Sequence, residues 1–286
     1  MRLCHFLSLI RKSIAAWIDD YASSMGAAIA YYTLFSIAPL LIIVIAVGGA
    51  VFGPEAVEGE IVAQLSGLIG VEGAMGVQGL IRSASQPVHG TVATMISIAF
   101  LYIGATSVFS ELQNALNRIW RSPATQNRTG LWNLLRIRVL SFGLILGLGF
   151  LMLVSLVISA ALAALSYWAN RILPAWEVVL QIINVMVSWG ITTLLFAMIY
   201  KLMPQAKIAW RDVWLGALVT SALFEVGKIA IGLYVGTSSL TSAYAAAGSL
   251  VVLLVWVYYS AQIFLLGAEF TWVFANDRIA RESAGE

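Results

Sequence analysis

The sequence predicts an all-α, polytopic membrane protein with six transmembrane helices. Three observations carry that reading. Only 10% of the residues are charged, against 60% hydrophobic, where a soluble domain carries about 25% charged residues. Apolar runs of roughly twenty residues recur, each long enough to cross the hydrocarbon core as a helix. Lysine and arginine fall almost entirely on one side once those runs are threaded through a membrane. No connection between the runs has the composition of a soluble unit, so the expectation is one membrane domain over 1–286.

Within it, residues 1–24 form an N-terminal amphipathic segment. Leu3, Phe6, Leu7, Ile10, Ile14, Trp17 and Ile18 recur at helical spacing, the pattern of an interfacial helix lying on the membrane. Arg11 and Lys12 cut its apolar run short and no small-residue cleavage site follows, so the segment is expected to be retained. A six-helix bundle then occupies 27–272. Its spans are predicted at 27–52, with Pro39 as a kink, and at 91–110, 139–166, 178–203, 213–236 and 248–272. Residues 273–286 are expected to be a cytoplasmic tail.

Orientation follows from the basic residues. Arg2, Arg11, Lys12, Arg118, Arg121, Arg128, Arg136, Arg138, Lys201, Lys207, Arg211, Arg278 and Arg281 share one side. Arg82 and Arg171 lie on the other, and Lys228 lies within a span. The positive-inside rule puts both termini in the cytoplasm. The arginine loop 118–138 reads as a contact for anionic lipid, not as an RNA site, because it is sparse and beside the membrane. The outer loop 53–90 is acidic through Glu55, Glu58, Glu60 and Glu72, with glycine at 67, 70, 73, 76 and 79. That period of three lacks the proline of a collagen repeat. Short amphipathic helices in a loose hairpin are expected there.

Several classes of chemistry find no support. The net charge of +2 is too small to imply a nucleic-acid partner, and Cys4 is the single cysteine. Histidine occurs only as His5 and His89. No Walker loop, His-Glu-x-x-His, Gly-x-Ser-x-Gly elbow or aspartate cluster is present. Neither enzyme activity nor a cofactor is expected.

The fifth span is the exception to an apolar interior. It carries Glu225 and Lys228 near its middle, where a charge costs about 2.5–3.5 kcal/mol on insertion scales. The two are three residues apart and share a helix face. The fourth span carries Gln181, Asn184, Ser188 and Thr192 as one polar stripe. A short connection makes the two spans antiparallel neighbours, so the stripes are expected to meet as a substrate path; interhelical hydrogen bonding is the plainer reading. At the inner membrane edge, Glu111, Arg118, Gln262 and Glu269 are candidate ion pairs or gate residues.

Five stretches carry a family resemblance: GAAIAYYTLFSIAPLL at 26–41, GATSVFSELQNALNRIW at 104–120, YKLMP at 200–204, WRDVWLGALVTSALFEVGK at 210–228 and SAYAAAGSLVVLLVWVYYSAQIFLLGAEF at 242–270. In order and over nearly the whole chain, they resemble the YihY/virulence factor BrkB family of bacterial inner-membrane proteins. Ala245 departs from the glycine that relatives tend to carry there. The resemblance implies six spans and an envelope-related role such as transport of a lipid or another amphiphile. A non-transporting scaffold or assembly factor is the alternative. The family has also been labelled ribonuclease BN, a label these residues fit poorly, since none of them forms a nuclease's metal cluster.

Overall fold

A computed structural model describes residues 2–84, 91–122, 176–206, 208–237 and 248–284. They are all helical or in short turns: α1 Arg2–Asp19, α2 Ala22–Phe52, α3 Pro54–Ala84, α4 Thr91–Ile119, α5 Trp176–Leu202, α6 Trp210–Thr237 and α7 Gly248–Ala284. Four stretches are long and apolar enough to cross a membrane, namely Ala22–Ala50, Val185–Leu202, Trp210–Ala230 and Leu250–Ser283. The expected third span, Arg128, Arg136, Arg138, Arg171, Lys207 and Ala245 lie outside the described residues.

The helix α1 is docked as well as amphipathic. It buries Leu9 against Phe270 and Val273 of α7, and Phe6 meets Phe270 edge-on at 6.2 Å. Its His5 and Lys12 reach Asp277 at 3.4 and 3.9 Å. Leu7, Ile14 and Ile18 stay exposed on the other face, available to a membrane surface. A turn at Asp20 and Tyr21 separates α1 from α2, with Tyr21 in the left-handed region at φ 54°. The helix α2 then runs through Pro39 and ends at Gly53, whose φ of 89° suits glycine alone.

Helix α3 folds back on itself. Gln78 donates to Glu58 at 2.9 Å, and Arg82 lies 3.9 Å from the same carboxylate. A straight helix would separate residues 58 and 78 by about 30 Å. The chain therefore reverses between them; the second arm packs Val77 and Ile81 with Leu253 and Trp256 of α7, and Leu65 of the first arm lies against that cluster. At the other end of the bundle, the main core joins Ile29, Leu116, Ile119, Tyr200, Val213 and Leu265 from five helices.

Two boundaries differ from expectation. Helix α4 continues to Ile119, carrying Glu111 and Arg118 on a helix beyond the predicted span. Within the expected tail, residues 273–284 are helical, because α7 continues unbroken to Ala284. No glycine or proline interrupts 268–284, and Asp277–Arg281 and Arg278–Glu282 brace successive turns at 2.9 and 2.8 Å.

Candidate functional site

The site is built outward from α6. One helical turn brings the Lys228 ammonium to 2.7 Å from the Glu225 carboxylate. The pair is neither buried nor free, with side chains 28% and 35% exposed for Lys228 and Glu225. Its flanking residues Val226 and Ile229 are exposed. The pair thus sits at the edge of an apolar face, toward the Ala230 end of a stretch able to cross a membrane.

Close packing fixes where α6 stands. Gly216 faces Thr271, and Gly267 faces Thr220, so each of α6 and α7 offers the other a glycine and a threonine. A methyl group at Gly267 would stand 1.8 Å from Thr220 Oγ1 and 2.6 Å from the Tyr200 hydroxyl. Small residues permit this approach between membrane helices. Near the basic end, Arg278 clamps the buried Asp212 through two hydrogen bonds of 3.0 Å, the planar fork that binds carboxylates best. On the other flank, α5 lies antiparallel to α6. One hydroxyl of Thr193 and Ser221 donates to the other at 2.8 Å, and Phe196 meets Phe224 at 5.7 Å. Tyr200 donates to the Phe264 carbonyl at 2.7 Å and lies 3.0 Å from Thr220 Oγ1, tying α5, α6 and α7 together.

That register sets Ser188 and Thr192 level with Glu225, but no bond joins them to the charged pair. Thr192 donates to the Ser188 carbonyl of its own helix at 3.0 Å, and Ser188 is exposed. Gln181 and Asn184 lie on α5, with side chains outside the described residues. The residue that does reach α6 is Thr193, one position on from the predicted stripe. Its buried hydroxyl was detectable in the sequence only as a second threonine beside Thr192.

A second charged cluster occupies the basic end, where α4, α7 and the α1–α2 turn meet. Glu111 and Arg118 do not pair: seven residues put them about 10 Å apart along α4, and Arg118 instead approaches Asp20 at 4.0 Å and lies over the Tyr21 ring. Gln262 donates to the Ser23 carbonyl at 3.4 Å, while its own buried oxygen has no partner. Glu269 is 0% exposed, and neither carboxyl oxygen has a hydrogen bond. The charged groups acting on it are the Asp20 carboxyl, which lies within hydrogen-bonding reach but is itself an acceptor, and Arg121, which makes no bond to it. Arg121 lies over the Trp272 ring at 4.4 Å. The two non-glycine residues with positive φ among those described, Tyr21 and Arg121, both border this cluster. Strained backbone of this kind persists only where the surroundings enforce it. Asp20 and Arg121 had no signal in the sequence beyond their charge, since both act through a tertiary junction.

The model of the virulence factor BrkB family matches residues 13–286, a range that includes both clusters. The chain belongs to that family. Among relatives of this BrkB-family chain is the UPF0761 membrane protein YihY of Salmonella typhimurium, 33% identical over 196 residues. That match covers 67% of this chain and 62% of the Salmonella protein's length. A UPF0761 membrane protein of Cronobacter sakazakii is 28% identical over 275 residues, covering 94% and 89% of the two chains. One from Enterobacter sp. is 35% identical over 183 residues, covering 62% and 58%. No solved structure matches.

Proposed function

We propose that this membrane protein transports or translocates a lipid or another amphiphilic envelope substrate along a polar path between α5 and α6. The observation that carries the reading is the partial exposure of Glu225 and Lys228 within a stretch able to cross a membrane. Charges kept inside a membrane segment face protein or water and mark pathways more often than adhesion. The 2.7 Å contact within the pair favours the second reading, a structural pair in an assembly factor. In the proposal, six spans form one domain, both termini are cytoplasmic in a bacterial inner membrane, and anionic lipid contacts the arginine loop 118–138. Gln181, Asn184, Ser188 and Thr192 line the α5 side of the path, while Glu111, Arg118, Gln262 and Glu269 stand at its inner mouth. We propose no intrinsic ribonuclease activity.

The test is lipid exchange in vesicles. Purified protein is expected to accelerate transbilayer movement of fluorescent phospholipid analogues, and Glu225→Gln with Lys228→Met to abolish it while inserting normally. A double variant as active as wild type sinks the transport site and leaves the scaffold ahead. Topology is checked separately: a periplasm-active phosphatase fused at Gly73 is expected to be active, and one fused after Glu286 inactive.

A further inference from the structure

Glu269, placed at the inner mouth of the proposed path, has surroundings that the transport reading does not explain. Its side chain is completely buried, yet both oxygens lack a donor. Buried carboxylates normally hold hydrogen bonds or an ion-pair partner. Donors exist nearby, but each is directed elsewhere. The Arg121 guanidinium is stacked on Trp272, and Arg118 is drawn to Asp20. The group that approaches Glu269 from the opposing α1–α2 turn is the Asp20 carboxyl, another acceptor.

The placement is set by the antiparallel contact of α2 with α7. Gly26 lies against Gln262 so closely that a methyl there would be 2.1 Å from the amide nitrogen. Two turns further along α7, the same contact brings the start of α2 over Glu269. Among the described residues, Glu111 of α4, Arg11 and Asp19 of α1 and Arg211 of α6 form no ion pair, while several other charges around this end are engaged. Lys12 of α1 and Arg281 of α7 are with Asp277, and Asp212 of α6 is with Arg278. On α3, Glu58 and Arg82 pair at the other end of the bundle.

Two facing carboxyls with no donor between them lack one small cation. A metal ion is a poor fit: hard cations take six or more oxygens, and Arg121 would repel one. A proton needs only two oxygens, and like-charged carboxyls sharing a site hold one readily. We propose that Asp20 and Glu269 form a proton-binding site at the basic end of the bundle, one proton bridging the two carboxyls and fastening the α1–α2 turn to α7. The site goes beyond the transport reading and does not depend on it, because proton binding is measured without flux.

The experiment is an infrared pH titration of the full chain in lipid nanodiscs, reading the carboxylic C=O stretch, with tryptophan emission in parallel because Trp272 borders the site and Trp17 lies one helical turn before Asp20. Wild type is expected to show a protonated-carboxyl band that Glu269→Gln removes. Asp20→Asn is expected to keep the band but move its midpoint to more acid pH by tenfold or more in proton concentration. A band unchanged in Glu269→Gln, or a midpoint unmoved in Asp20→Asn, overturns the proposal. If Glu269→Gln fails to accumulate, the Asp20→Asn midpoint decides alone. A midpoint that follows sodium or potassium at fixed pH assigns the site to a metal cation and overturns the proton. Loss of lipid exchange with the titration intact would count against the transport reading only.

Discussion

Glu225 and Glu269 both sit in helices long and apolar enough to cross a membrane, and the fold treats them in opposite ways. Glu225 carries its own counter-ion one turn away and remains partly open. Glu269 is sealed in protein, with Asp20 and no bonded cation before it. The first is neutralised locally, so its charge survives wherever the helix goes. The second depends on three other elements holding their positions. The difference teaches that an intramembrane charge has no meaning until its partner is known, and only the first partner is written into the helix itself.

The harshest way to disturb both is to part the helices that hold them. Gly267→Val drives a side chain into Thr220 and Tyr200. Overpacking costs about 1–3 kcal/mol and sometimes more, and this seam has no slack. Membrane abundance is expected to fall severalfold, measured by quantitative immunoblot. Gly267→Ala combined with Thr220→Ala is expected to recover most of it. Normal abundance of Gly267→Val would mean that α6 and α7 do not pack in this register.

The comparison itself predicts unequal answers to the same chemical change. Glu225→Gln strands the Lys228 ammonium. A fully buried pair broken in this way loses about 3–5 kcal/mol; a third of the side chain is exposed here, so roughly 1–2 kcal/mol is expected after screening. Adding Lys228→Met is expected to restore abundance. Glu269→Gln strands no cation, and its amide can donate to Asp20 in place of the bridging proton, so it is expected to accumulate at the wild-type level. Thermal unfolding in detergent, followed by tryptophan emission, reads all three. Equal losses for Glu225→Gln and Glu269→Gln would erase the distinction between the sites.

The same contrast explains what could be read from the sequence. Helix positions were legible because apolar runs and amphipathic spacing are local: the helices 2–19, 22–52 and 210–237 cover the predicted amphipathic run and the predicted spans 27–52 and 213–236, each span helix starting a few residues early. The Glu225–Lys228 contact was legible because i,i+3 geometry is local too. Continuation of α7 to Ala284 was hidden by the charge of 277–282, which looked like a tail but closes into pairs along the helix. The isolation of Glu269 could not be read at all, since it follows from α2 crossing α7 at Gly26. Arg118 looked like a partner for Glu111 until the α1–α2 turn brought Asp20 within reach.

The smallest expected effect separates helix adhesion from a path along α5. Thr193 and Thr192 are adjacent, so 100° of helix turn separates them. Thr193 bonds Ser221 across the interface, while Thr192 bonds only its own backbone. Removing an interhelical hydrogen bond in a membrane protein costs about 0.6 kcal/mol. A double-mutant cycle with Thr193→Val and Ser221→Ala is therefore expected to show coupling of about that size in unfolding, with lipid exchange unchanged. Ser188→Ala with Thr192→Val is expected to leave stability alone and to slow exchange, because those side chains join no other helix. If the Thr193 pair alters exchange without altering stability, the polar path runs through the α5–α6 contact itself. If the Ser188 pair alters neither, α5 contributes adhesion only, and any path past Glu225 must be lined from another side.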